Sequence, residues 1–170
     1  MNAGELIDLP AEPYVPADTA FYDAGPIRIG VERRHITEES IRAMYASDPE
    51  KLAEFERRLT ENDSAGFEDQ GLSVHIVDAA TGLEHLRFDC FDNDPHYHYI
   101  FHSDDGRETQ RWIRFDDVAN GPMTTWVRSV VTQRLAPMLV EAGVPRLASD
   151  LDARTVARVL DKVPELAAAG

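Results

Sequence analysis

The chain has 170 residues, 43% of them hydrophobic and 28% charged, a length and balance that suit one ordinary domain with a real core rather than a disordered polymer. No apolar run approaches the roughly 20 residues that a membrane-spanning helix needs. The formal net charge is −14, from 31 acidic and 17 basic residues, and such a field repels phosphate backbones and anionic headgroups, so neither nucleic acid nor a membrane is expected as a partner.

The densest basic groups, Arg33-Arg34 and Arg57-Arg58, are doublets beside acidic residues, not a patch. Residues Met1 to Asp8 show no basic region followed by an apolar stretch, and Cys90 is the single cysteine, so an intrachain disulfide is excluded; both features point to the cytosol.

Residues 1–25 carry Pro10, Pro13 and Pro16 without apolar periodicity and read as an extended N-terminal arm, leaving 26–170 as a single α+β domain. Pro26 to Glu32 alternates like a strand. Thr37 is placed to cap a helix carrying Ile41, Met44 and Tyr45, and Asp48-Pro49 is a cap and first-turn pair that restarts it with Leu52, Phe55 and Leu59. Residues 62–71 have the vocabulary of a loop.

From Leu72 to Phe115 short alternating stretches are separated by Ala80-Thr81-Gly82, Asp92-Asn93-Asp94-Pro95 and Asp104-Asp105-Gly106, which predicts a four-stranded antiparallel meander. A long helix follows, with Met123, Trp126, Val127, Val130, Val131, Leu135, Met138 and Leu139 on a broad stripe and Pro137 as a kink. Gly143 suits its C-cap, and Asp152 caps a last helix with Val156, Val159, Leu160 and Val163. The expected fold class is therefore α+β, with all helices on one face of the meander. In order of elements this resembles the helix-grip folds, with fewer strands, and a likeness at that level assigns no ligand.

Five of the six histidines lie between positions 75 and 102. A three-residue turn with Gly82 left-handed sets Ser73 opposite Asp89, His75 opposite Arg87 and Val77 opposite His85. A four-residue turn at Asp92 to Pro95 sets Phe91 opposite His96, Asp89 opposite His98 and His85 opposite His102. Alternation then gathers Leu72, Val74, Ile76, Leu86, Phe88, Cys90, Tyr97, Tyr99 and Phe101 on a core face. Ser73, His75, His85, Arg87, Asp89, His96, His98 and His102 fall on the other. A three-residue turn at Asp104 to Gly106 places Glu108 opposite His102 and Trp112 opposite His98; a four-residue turn reverses those faces.

His96 and His98, two residues apart on one strand face and about 7 Å apart at Cα, can converge on one ion. Asp89 completes two imidazoles and a carboxylate, a set suited to zinc, manganese or iron with open positions. His102, roughly 13 Å from His98, belongs instead with His85. In this reading Asp89, His96 and His98 hold a divalent metal, Arg87 anchors a small polar substrate, and His85 or His102 moves protons. The competing reading is a solvent-facing sheet surface whose histidines pair with Asp89, Glu108 and one another, either inert or acting as a non-catalytic binding or dimerisation module; a homo-oligomer stays open.

Weaker signals are Asp89, Asp92 and Asp94, which suit turn chemistry better than a calcium loop. Cys90, pointing to the apolar face, suits a buried thiol. No glycine-rich phosphate loop is present.

Overall fold

The computed structural model describes residues 4–168; residues 1–3 of the expected arm and residues 169–170 lie outside the described part. Seven strands form one sheet: β1 (Glu5–Ile7), β2 (Ala20–Ala24), β3 (Ile27–Thr37), β4 (Glu68–Asp78), β5 (Glu84–Phe91), β6 (His96–His102) and β7 (Glu108–Arg114). Their spatial order is β1-β7-β6-β5-β4-β3-β2, and every neighbouring pair is antiparallel. The α+β class holds, while the expected four-stranded meander is corrected to a seven-stranded sheet. Hydropathy alternation missed β1 and β2 because both sit at sheet edges, where pairing rests on backbone hydrogen bonds rather than on a buried face.

The helices are α1 (Glu38–Tyr45), α2 (Pro49–Glu61), α3 (Asp117–Asn120), α4 (Met123–Glu141), α5 (Pro145–Asp150), α6 (Ala153–Leu160) and α7 (Pro164–Ala167). Their ends follow the local chemistry. The Thr37 side chain accepts from the Ser40 amide while Ser40 returns a bond to the Thr37 amide, a capping box; Asp48 caps α2 ahead of Pro49, and Asp152 caps α6. α4 runs through Pro137 and ends where Gly143 adopts φ 83°, with the Val144 amide bonded to the Leu139 carbonyl and the Gly143 amide to that of Val140, a Schellman closure.

The helices do not all share one face, which is a second correction. α4 to α7 cover the apolar side, where Val74, Ile76, Leu86 and Phe88 pack against Val127, Val131, Leu139 and Leu160. On the other side Leu9 joins Tyr45, Phe55 and Leu59 of α1 and α2 in a smaller cluster. The N-terminal segment is tied down across that side by hydrogen bonds: Tyr45 Oη donates to the Pro10 carbonyl at 2.7 Å, Gln110 Nε2 to the Leu9 carbonyl at 3.0 Å, and the Ala11 amide to Glu108 Oε1 at 2.9 Å. Prolines suit such a strap, because they offer carbonyl acceptors without adding an amide donor that burial would orphan.

Two turns depart from the expected register. A bulge between Ile76 and Val77 pairs Ile76 with Leu86 but Val77 with Glu84, leaving His85 without a partner across the strand. Between β5 and β6, Asp89 lies opposite His96 and Arg87 opposite His98, two residues from the expected pairing. The cause is the turn at 92–95, where the Asp69 carboxylate accepts from the Asn93 and Asp94 amides and the Gln70 carbonyl accepts from Asp92, so Phe91 stays with β4. A slip of two preserves the faces, so the same side chains still meet. Between β6 and β7, His98 faces Trp112 and His102 faces Glu108, as the three-residue turn requires.

Candidate metal centre and cleft

The histidine-bearing face is enclosed, not solvated. Ser73, His75, His85, Arg87, Asp89 and His98 are all buried, with His75 fully so, and His96 is half-buried. Buried polar groups must find partners, and here they find one another.

Asp89 stands at the centre. Its Oδ2 lies 3.1 Å from His98 Nε2 and 3.3 Å from His96 Nε2, and the three candidate ligand atoms fall within 4.8 Å of one another. An ion with bonds of about 2.1 Å has ligand-to-ligand edges of about 3.0 Å in octahedral and 3.4 Å in tetrahedral geometry. The two edges at Asp89 Oδ2 fit that interval. They are also ordinary hydrogen-bond lengths, so without an ion the imidazole N–H groups donate to the carboxylate, and an ion would replace those protons.

Neighbouring residues fix this arrangement. Ser73 Oγ donates to Asp89 Oδ1, leaving Oδ2 to the imidazoles. His96 Nδ1 donates to the Asp94 carbonyl at 2.6 Å, which turns its Nε2 toward Asp89, and Asp69 in turn anchors Asp94 through the Asp94 amide at 2.8 Å. Such outer contacts set ring orientation and tautomer. His98 Nδ1 is buried without a protein partner.

The electrostatics divide the two histidines. Burial works to raise the Asp89 carboxyl, but donation from His96 and His98 and the charges of His96 and Arg87 hold it well below the usual range. Burial, with the charges of His96 and Arg87, pushes His98 down to about 4, against the pull of Asp89. His96 is also depressed by burial, yet its contact with Asp89 outweighs that and raises it. The two imidazoles on one carboxylate are thus pulled in opposite directions, His96 toward the charged form and His98 toward the neutral one.

A second network adjoins the first. Arg87 forms a fork with Glu84, Nε to Oε1 at 3.0 Å and Nη2 to Oε2 at 2.5 Å. Glu84 also meets His75 Nδ1 at 2.5 Å, and His75 Nε2 lies 3.2 Å from Glu32. Arg34 bridges Glu32 at 3.1 Å and Glu12 at 3.2 Å. Opposite His75 stands Gly30, where a Cβ would come within 2.9 Å of the Phe21 ring, so the small residue leaves room for the aromatic cover that Tyr14 and Phe21 supply. The bulge at Ile76/Val77 leaves Glu84 able to reach His75 and Arg87, which regular alternation would not give it.

The residues predicted from sequence thus separate into groups. Asp89, His96 and His98 converge. Arg87 lies beside them, but its guanidinium is filled by Glu84 of its own strand, not by a residue across the sheet. His85 and His102 face each other with ring centroids 5.3 Å apart, and His102 Nε2 donates to the Glu84 carbonyl at 2.7 Å. Cys90 is half-buried against the apolar core, and desolvation pushes its thiol up to about 12, which suits a structural role. Glu12, Glu32, Arg34, Asp69 and Glu84 were missed: each lies outside the histidine-rich stretch or at a bulge, and only the alternation of Glu32 and Arg34 along β3 hinted at a shared face.

The triad opens onto a cleft of about 720 Å³ between the sheet, the N-terminal strap and α1–α2. Arg87, Asp89, His96, His98, Gln110 and Trp112 form its sheet wall, while Ile41, Tyr45, Phe55, Leu59 and Phe67 line the side opposite. His85 and His102 are not among its lining residues. Among the described residues no helix is long and apolar enough to cross a membrane.

Comparison with known proteins yields no match among the curated proteins and none among the solved structures. Residues 21–167 match the model of the family described as Domain of unknown function (DUF7700), and the chain belongs to that family.

Proposed function

We propose that the protein binds one divalent metal ion through Asp89 Oδ2, His96 Nε2 and His98 Nε2, and that the ion assists chemistry on a small molecule held in the adjoining cleft. The observation that carries this reading is the shared Oδ2, 3.1 and 3.3 Å from two imidazole nitrogens at the wall of a cleft large enough for a ligand. Two nitrogens and one oxygen suit zinc, manganese or iron(II) and leave coordination positions for water or substrate. An ion there would polarise a coordinated oxygen. The protein's own part is to hold the carboxylate through Ser73, to orient His96 through Asp94, and to keep the fixed charges of Arg87 and Glu84 paired alongside. His85 and His102 lie away from the lining and receive no proton to move in this reading.

The test is metal analysis of protein purified without an affinity tag, followed by zinc titration. One equivalent, bound or restorable, is expected, with binding lost in His98→Ala and in the half-buried and better tolerated His96→Gln. No bound or restorable metal, or variants that titrate like wild type, overturns the proposal.

A further inference from the structure

The polar triad sits in a cleft whose other side carries the apolar Ile41, Phe55, Leu59 and Phe67 beside Arg58, Asn62 and Ser64, and among the described residues every arginine lining it already has a carboxylate. Arg34 is held by Glu32 and Glu12, Arg58 by Glu5 at 2.9 Å, Arg87 by Glu84, and Arg114 by Asp94 at 3.4 Å. A phosphorylated ligand would meet no unpaired arginine and would approach the carboxylates of Glu5, Glu12, Asp69 and Asp94, which also line the space. A sugar-like ligand laid against Ile41, Phe55, Leu59 and Phe67 would lose hydration at every hydroxyl that meets these side chains.

The charge at the sheet wall selects further. Two neutral imidazoles and one carboxylate leave a divalent ion with a residual charge of one, in a setting where uncompensated charge is costly. A single anionic oxygen donor cancels it. Resting on the metal-binding reading above, we infer that the cleft takes a small organic monoanion, an oxygen-donor head such as a carboxylate or phenolate on an apolar body. The head occupies the open positions of the ion, and the body lies against the wall formed by Ile41, Phe55, Leu59 and Phe67. This departs from the small polar substrate that the sequence suggested, because the opposing wall comes from α1, α2 and the loop after them, whose position over that face the sequence did not show.

The experiment is calorimetric titration of the full chain, first with zinc and then, in the zinc-loaded state, with four probes: 4-phenylbutyrate, its neutral analogue 4-phenylbutanol, the polar monoanion gluconate, and phenyl phosphate. The expected result is that 4-phenylbutyrate binds at least about tenfold more tightly than each of the others and weakens by about tenfold when zinc is removed by a chelator. Phe67→Ser and Ile41→Ser, both at half-buried positions, should each weaken 4-phenylbutyrate by about tenfold while leaving zinc affinity unchanged. Zinc bound with no preference among the probes, or a preference for phenyl phosphate or gluconate, overturns the ligand assignment and leaves the metal site standing. Failure of zinc itself to bind overturns both.

Discussion

Along β4 and β5, consecutive residues serve opposite environments. Val74, Ile76, Leu86 and Phe88 enter an apolar layer closed by α4 to α7, whereas Ser73, His75, Arg87 and Asp89, on the same two strands, enter a layer of ionised and hydrogen-bonded groups closed by the N-terminal strap, α1 and α2. Both layers are buried. The first gains free energy simply by leaving water, at about 25 cal/mol per Å² of apolar surface. In the second, desolvation of each charge opposes folding and is offset only while every partner stays in place. A fold that needed stability alone would have filled both layers like the first. That the second keeps an open cleft beside three convergent side-chain atoms able to hold an ion is what supports the proposal that it is the working face.

Substitutions at adjacent positions separate the two layers most sharply. Phe88→Ala should cost about 3–5 kcal/mol by leaving a cavity in the apolar layer. Arg87→Ala should cost a similar 3–5 kcal/mol for a different reason, since it strands the buried Glu84 carboxylate. The layers part company on rescue: Arg87→Met combined with Glu84→Leu should recover most of the loss by chemical denaturation, because removing both charges removes the desolvation cost. If the double variant is no better than Arg87→Ala, the ionic layer is held by something other than pairing.

Of the two layers, the polar one should carry the dependence of stability on pH between about 4.5 and 9. His75 is buried, yet its contacts with Glu32 and Glu84 raise its pKa, so its contribution is complete below its ordinary value of 6.5 and is lost as pH rises through the raised one. His98, lowered to about 4, acts with the opposite sign: its neutral form is favoured in the fold, and stability falls as pH drops from 6.5 toward 4. Glu84, which burial would raise but Arg87 and His75 depress to about 2, adds a further loss below its ordinary 4.5. Metal-free protein should therefore melt at its highest temperature near pH 6.5, and His75→Gln should make the alkaline limb shallower, the raised His96 keeping the remainder, while leaving the acid limb in place. A melting temperature that does not change between pH 4.5 and 9 would contradict this account.

Much of this division was legible in the sequence because strand periodicity survives errors in register. Ser73 opposite Asp89 and His75 opposite Arg87 follow from the Gly82 turn, and the Asp89, His96 and His98 side chains grouped from the sequence do converge although β6 slid by two residues. The slide could not be foreseen, since it depends on Asp69, a residue more than twenty positions away that captures the amides of the turn. The bulge that brings Glu84 to His75 is equally silent, as is the covering of the polar face. That cover comes from a proline-bearing segment without periodicity and from helices whose apolar residues announce a buried face but not which side of the sheet they seek.

A smaller effect refines the comparison at the triad itself. Ser73→Ala removes the donor to Asp89 Oδ1 while leaving Asp89, His96 and His98 in place, so zinc affinity should weaken by about tenfold to a hundredfold, with a loss of stability of about 1–3 kcal/mol that stays below that of Phe88→Ala. An unchanged affinity would mean that Asp89 is oriented by the imidazoles alone.

The most direct measurement of the central claim is a crystal structure of the zinc-soaked protein with anomalous differences collected at the zinc edge. The account predicts one dominant peak about 2.0–2.2 Å from Asp89 Oδ2, His96 Nε2 and His98 Nε2, facing the cleft. No peak there, or a dominant peak at His85 and His102 or on the exposed acidic surface, would contradict it.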